Sequence, residues 1–434
     1  MKKMVKATLL FASISLLLFG CGGEKQSSTA SNSNKEENKY MRLAWWGNTN
    51  RDERTIKVAA MYENANPGAK IETETTGWGG YWDKMNTQAA SSTLPDLMQQ
   101  DYAYILQWAS RGQLLDLTPY ISNGTIDTSK MSQSIIDAGS VNGKVYGICM
   151  GTNAMGLCAN KEILEKAGVT IDELNWTWED LEQIGYTIYE KTGVKTTPFG
   201  TTDIRPIFEN LLRQDGKSFY SADGKTMGFT DTKMLVDFYD MQLRMIKAGA
   251  MIPAEEAFVT VTAEEGGFAK EKVWNDWVWS NQLVSTQSAL GKPVEMYLMP
   301  KIKDSKRPGT YLKPSMFFSI PASAENPDMA AKVLNYYLND MAANDVLLGE
   351  RGVPAPSDVL SSVSQKVDDT SKQIYKFIEV VNNNCSPIDP PDPGASGEVL
   401  KIFRDVTQEV LAGLISSSDG AKKFLDKANA ALAK

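Results

Sequence analysis

The sequence predicts an α/β protein built as two lobes. Three observations carry this. Strand-like and helical runs alternate from residue 41, which implies a parallel sheet with helices on its faces. A second run of such elements follows from residue 144, and the chain from about residue 357 is largely helical. The 434 residues are 42% apolar, enough for large cores in more than one domain.

The elements read as follows. MRLAWW (41–46) is a short apolar run bounded by Gly47 and Asn48, a strand. RDERTIKVAAMYENANPG places Ile56, Ala59 and Ala60 at helical spacing and stops at Pro67 and Gly68. KIETETT alternates as a strand, YWDKMNTQAASS reads as a helix and DLMQQ as a third strand. Ligands of such sheets sit beyond the carboxyl ends of the strands, which puts Trp46, Asn48, Trp78, Asp101 and Tyr102 on one rim. Trp45 alternates with Trp46 and is expected in the core.

In the second run, KVYGICM and GLCAN are strand-like on either side of the polar GTNAM. TWEDLEQIGYTIYEKTG opens with Thr177 and Asp180 at capping-box spacing and closes at Gly193. Helices follow over about 204–212 and 231–248, then strands VEMYLMP and MFFSIPAS. Asn326 and Pro327 read as N-cap and first residue of a helix through Asn339. The stretch VWNDWVWSN (273–281) brings Trp274, Trp277 and Trp279 close together, and PIDPPDPG (387–394) breaks the helical remainder.

At the N-terminus, Lys2, Lys3 and Lys6 precede an uncharged apolar run from Ala7 to Phe19. This is the pattern of an export signal. The run is too short to cross a hydrocarbon core of roughly 30 Å as a helix. Leu18, Phe19, Gly20 and Cys21 resemble the lipobox of bacterial lipoproteins, in which the cysteine is acylated and the chain is cut before it. An ordinary signal peptide with an incidental cysteine is the alternative. Residues 1–20 are therefore expected to be a lipoprotein signal peptide. Residues 21–39, with no aromatic or large aliphatic side chain, read as a lipidated Cys21 and a flexible tether. The body would then stand on the extracellular face of the cell membrane, held only by the lipid.

The formal charge of −8 argues against a basic surface for nucleic acid or anionic lipid. The chain has no histidine, which removes Ser/His/Asp and Cys/His catalysis and the common zinc sites. It has no Walker loop and no DxDxDG calcium loop, and calls for no cofactor. Carboxylate pairs able to hydrolyse glycosides remain open. Beyond Cys21 the cysteines are Cys149, Cys158 and Cys385, either three thiols or one bridge between the first two.

A set of blocks, in order, resembles one family: YENANPGAKIETE, LPDLMQQDYAYILQWASRGQLLDLTPYI, VNGKVYGICMGTNAMGLCANKEILEKAG, WTWEDLEQI, WVWSNQL, FFSIPASAENPDMAAKVLNYYLND and RGVPA. They are similar to the extracellular solute-binding proteins (family 1) of bacterial carbohydrate ABC importers, the group that includes maltose-binding protein. The resemblance implies a two-lobe, periplasmic-binding-protein-like (type II) fold with a hinge and an inter-lobe cleft. Lobe one would be 40–148 plus 314–352 and lobe two 154–308 plus 356–434, with crossings near 148–153, 310–313 and 353–356. It implies a monomer that is not an enzyme, captures a carbohydrate by hinge closure and delivers it to ABC permease subunits. The many tryptophans favour an oligosaccharide, of xylo- or manno-type, while the arginines keep an acidic sugar in view.

A pyranose offers an apolar C–H face and a rim of hydroxyls, so its site needs rings to stack on and planar polar groups to bond the rim. Carried over residue by residue, the resemblance implies ligand contacts from Trp46, Asn48, Trp78, Asp101, Tyr102 and Asn153. It adds Asp203, Arg205, Trp274, Trp277, Arg351 and Asp392. Trp277 would follow a helix start at Asp276 and offer a stacking ring. On that helix Trp279 would point into the core. Two other readings use the same features: a lipid-anchored glycoside hydrolase, and a glycan-binding adhesion or sensor lipoprotein without transport.

Overall fold

Residues 39–434, apart from 48, 200–203 and 260–262, are described by the computed structural model. The expected signal peptide, Cys21, the tether up to residue 38, Asn48 and Asp203 lie outside the described residues. The elements that position the site begin with β1 (Tyr40–Trp46), α1 (Thr49–Ala65), β2 (Lys70–Thr76), α2 (Trp78–Ala90), β3 (Leu97–Gln100) and α3 (Tyr102–Ser110). Next come β4 (Ile148–Asn153), β5 (Met155–Asn160), α4 (Trp178–Thr192), α5 (Arg205–Gln214) and α6 (Lys233–Lys247). The chain continues through β6 (Asn275–Trp279), β7 (Val294–Tyr297), β8 (Lys313–Ser319), α7 (Pro327–Asn339) and β9 (Val353–Pro354). Helices α8 (Asp369–Asn383), α9 (Ser396–Leu411) and α10 (Ser417–Leu432) complete the set.

The first lobe is built on a six-stranded sheet of order β9-β4-β8-β3-β1-β2. β1 runs parallel to β2 and β3, so Trp46, Thr76 and Gln100 end three neighbouring strands at one edge. The second lobe holds a three-stranded antiparallel sheet with β5 between β6 and β7. Side chains alternate faces along β5, as strand geometry requires. Leu157 and Ala159 enter a core with Trp178, Phe199 and Trp277, whereas Cys158 enters one with Val278, Met296 and Phe377.

Local chemistry sets the helix ends. Thr177 and Asp180 form a reciprocal capping box on α4, which stops at the left-handed Gly193. The Asn326 side chain accepts from the Met329 N–H and Pro327 opens α7.

Three of the strands, β4, β8 and β9, lie side by side, with Lys313 opposite Asn153 and Val353 opposite Thr152. The strands approach so closely that a Cβ on Gly151 would stand 2.4 Å from the Arg351 carbonyl oxygen. The Ser315 hydroxyl fills the remaining space, 2.7 Å from the Gly151 carbonyl and bonded also to that of Arg351.

Two expectations are settled by this framework. The helix anticipated from Asp276 is the strand β6, because Asn275 to Trp279 pair in unbroken register with Ala159 to Met155 and this tertiary pairing decides the conformation. Cys149, Cys158 and Cys385 are free thiols. Burial pushes the Cys149 thiol up to about 12.

Asp276 follows from the strand assignment. It sits deep at a second-lobe cavity of about 400 Å³ that Glu256 and Lys272 also line, and those two are paired with each other. Burial raises its carboxyl from 3.8 to about 6, against the one N–H of Trp277 that favours the charged form. The folded state therefore holds this proton more tightly than the unfolded chain. Stability contributed by the neutral acid is lost as pH rises from 3.8 towards 6. Asp276→Asn keeps the acceptor for Trp277 and removes that loss. Urea unfolding should find the variant more stable than wild type at about pH 8 and matched to it at about pH 4. Equal differences at both pH values would contradict the assignment.

Candidate functional site

A cavity of about 520 Å³ opens between the lobes, with the crossing strands as its floor. Asn153 from the end of β4 and Lys313, Pro314 and Ser315 from β8 form that floor. Asp101 and Tyr102, at the junction of β3 and α3, form the lobe-one wall. Opposite stand Arg205 and Glu209 of α5, Tyr311, and Trp279 at the end of β6. The segment from Ile388 to Asp392 closes one end.

Asp101 has two tasks that follow from one position. It is the N-cap of α3, accepting from the Ala103 N–H at 2.9 Å, and its carboxylate lines the cavity. Burial raises its pKa, with the Ala103 N–H and the Lys313 ammonium opposing. A partly dehydrated carboxylate of this kind gains by accepting hydrogen bonds from ligand hydroxyls. Tyr102 reaches past it and donates to the Asp389 carbonyl at 2.6 Å, which ties the lobe-one wall to the proline loop. Burial, then the nearby carboxylates, raise its phenol.

On the opposite wall Arg205 is shared between Glu209, at 3.3 Å, and Asp392. Burial alone would lower its pKa, but the two carboxylates more than offset this and fix the charge. Burial raises the pKa of Glu209 despite Arg205 and Arg213, and the Tyr311 hydroxyl donates to it at 3.3 Å. Behind this wall, Arg213 of α5 is wholly buried. Its Nε donates to the Gly309 carbonyl at 2.8 Å, and its Nη2 donates to Ser386 Oγ at 2.7 Å and the Pro387 carbonyl at 2.6 Å. Nη1 pairs with Asp389, and the guanidinium lies 4.9 Å from the centre of the Tyr311 ring.

Trp279 is half-buried on the cavity wall, with the Lys313 ammonium 4.9 Å from its ring centre. The pairing of β6 explains why it is Trp279 that arrives here. Trp277 and Trp279 share a strand face, but Trp279 lies opposite Met155, next to the crossing, and Trp277 opposite Leu157, one step deeper. Trp277 packs against Trp178 and Phe199, with ring centres 6.0 and 5.9 Å away. The expectation of a stacking ring at Trp277 and a core residue at Trp279 is thus reversed, because it used a helical angle where the chain is extended.

Two further expectations are corrected. Trp274 is fully buried and donates from Nε1 to Thr196 Oγ1 at 2.9 Å, so it faces the second-lobe core. Arg351 is a buried strut of the first lobe: it donates to Gln99 Oε1 at 3.1 Å and Thr55 Oγ1 at 2.8 Å and lies over the Phe318 ring. Burial lowers its pKa to about 10.

Trp46 and Trp78 stand apart from the cavity, at the carboxyl edge of the lobe-one sheet. Their rings meet edge to face at 5.1 Å, and with Trp82 and Tyr104 they form one aromatic cluster. Trp46 is buried, while Trp78 is 48% exposed and supplies the open ring of the cluster. Glu209, Tyr311, Lys313 and Asp389 line the cavity without having been expected as contacts, and Trp279 lines it where the core was expected. Only Glu209 left a local signal, four residues after Arg205 on a helix. Among the described residues there is no helix long and apolar enough to cross a membrane and no cluster able to hold a metal ion.

Comparison with known proteins agrees with this architecture. A family model described as bacterial extracellular solute-binding protein matches residues 57–372. An arabinooligosaccharide-binding protein of Bacillus subtilis is 26% identical over 58% of this chain and 57% of its own length. A maltooligosaccharide ABC transporter solute-binding lipoprotein of Streptococcus pneumoniae is 28% identical over 52% of this chain and 44% of its own. The chain thus spans less than two thirds of either relative. A solved family 1 extracellular solute-binding protein from Alicyclobacillus acidocaldarius superposes with a TM-score of 0.84 at 27% identity, covering 91% of this chain and 98% of that one.

The wall built on Arg213 generates a test. Replacing a buried, ion-paired cation leaves its partners unpaired, so Arg213→Ala should cost about 3–5 kcal/mol in chemical unfolding. Arg213→Lys, which lacks the planar fork, should recover little of that. A loss below about 1 kcal/mol would contradict the role.

With its match over most of the described chain and a likeness of fold over 91% of the chain, this protein belongs to the bacterial extracellular solute-binding proteins, a family of binding proteins rather than enzymes.

Proposed function

We propose that the protein captures an oligosaccharide outside the cell and delivers it to the permease of an ABC importer. The single observation that carries this is the composition of the cleft. One cavity combines an aromatic surface, Trp279, with planar polar groups, Asp101, Asn153 and Arg205, and both lobes contribute to it. That is the pairing a pyranose requires, a ring for its C–H face and donors and acceptors for its hydroxyls. The names of the two relatives, one for arabino- and one for maltooligosaccharides, support the same class.

The remaining parts of the reading rest on the sequence. Lipidation at Cys21 would anchor a monomer to the extracellular face of the membrane. The lobes would be 40–148 with 314–352 and 154–308 with 356–434, swinging on crossings near 148–153, 310–313 and 353–356. A ligand touching both walls favours the closed arrangement by its extra contacts there, and the closed form is the one the permease accepts. Asn48 and Asp203 remain candidate contacts, and Trp78 a candidate outer stacking surface.

Calorimetric titration with xylo-, manno-, arabino- and maltooligosaccharides tests the proposal. At least one series should bind saturably with no product released. Trp279→Ala should weaken that binding at least tenfold, the loss of one stacked ring, without lowering the melting temperature appreciably. Asp101→Asn should weaken it less, since the amide still accepts one hydrogen bond. Failure of all series to bind, or turnover of any, would overturn the reading.

A further inference from the structure

The cleft is not the only cavity at this junction. A second, of about 400 Å³, lies on the other side of the proline loop. The two share Glu209, Asp389, Pro390 and Asp392, so the loop and its ion pair are the partition between them. The far cavity also takes a wall from each lobe: Leu106 of α3, 43% exposed, on one side, and Tyr220 on the other.

We propose that this second cavity is a continuation of the carbohydrate site, receiving the outer residues of a chain whose inner residues fill the main cleft, with Tyr220 as its recognition residue. The inference rests on the carbohydrate reading above and extends it to chain length. Tyr220 supplies both elements a sugar needs. Its half-buried ring lines the cavity, and its hydroxyl, beside an Arg205 guanidinium that can only donate to it, has no acceptor for its own proton. A phenol enclosed in this way costs free energy until a ligand hydroxyl satisfies it. Arg205 links the compartments. Its guanidinium lies 5.9 Å from the centre of the Tyr220 ring and also pairs with Asp392 at the partition.

The partition is held as a fixed wall. Arg213 holds Ser386, Pro387 and Asp389, Tyr102 holds the Asp389 carbonyl, and prolines fix φ along the loop. At its far end Gly224, with φ of +68°, lets the turn after Tyr220 press on Pro393, where a Cβ would stand 3.1 Å away. A ligand reaching the second cavity therefore crosses the rim at Asp392 rather than displacing the loop.

The test uses the oligosaccharide series that saturates the main cleft, titrated from disaccharide to hexasaccharide into wild type, Tyr220→Ala, Tyr220→Phe and Trp279→Ala. Wild-type affinity should keep rising with length beyond the members that fill the first cavity. Tyr220→Ala should bind the short members as wild type does and lose about tenfold on the long ones. Tyr220→Phe, which keeps the fold's ring and drops only the hydroxyl, should lose part of that gain. Trp279→Ala should weaken every length. Affinity independent of length in wild type, or an equal loss at all lengths in both Tyr220 variants, would overturn the second compartment alone. Absence of binding at every length would instead remove the carbohydrate reading on which it stands.

Discussion

The guanidinium of Arg213 is the constraint on which the working end of the molecule depends. It has no exposure, and its donors are divided among Gly309 before β8, Ser386 and Pro387 after α8, and the Asp389 carboxylate. A charge taken out of water is tolerable only where it is paired and hydrogen-bonded, so helix α5, the Gly309 segment and the stretch from Ser386 to Asp389 are not free to separate. One helix thereby fixes the approach to the floor strand and the loop that ends the cleft. Trp279 and Tyr311 follow from the same arrangement, since Tyr311 lies under that guanidinium and its ring neighbours Trp279 at 6.3 Å.

A binding protein must hold charged groups in a cleft without letting them collapse on each other or bind indiscriminately. Here Arg205 is committed to Glu209 and Asp392, and Arg213 to Asp389. These pairs offer hydrogen-bonding edges with little net charge, as the proposed hydroxyl-rich ligand requires. A uronic acid would have to displace an existing ion pair to obtain an arginine.

Much of the fold was legible from local chemistry. The capping box at Thr177, the stop at Gly193 and the Asn326–Pro327 start all act within a few residues, so sequence spacing carries them. The cleft was legible where it depends on chain order: Asp101 and Tyr102 follow a strand of the lobe-one sheet, Asn153 ends one, and all three line the cavity. It failed where a residue's environment is made by distant partners. Trp277 and Trp279 exchanged places because antiparallel pairing with β5, not local pattern, set their conformation. Arg351 and Trp274 are buried by Gln99, Thr55 and Thr196, far away in sequence, and no nearby residue announces it. Lys313 and Tyr311 looked like connecting residues and became floor and wall through the crossing of strands.

The contact between Gly151 and Arg351 has a further meaning. Backbones packed with only the Ser315 hydroxyl between them leave little at that point to compress or repack, so relative motion there would be confined to twisting about the strands. Asn153, two residues along β4 from Gly151, sits opposite Lys313 of β8. Points near an axis move least when the bodies on either side rotate. On the hinge motion proposed above, a ligand resting on Asn153 and Lys313 would keep its seat, and only the contacts farther out would be made and broken.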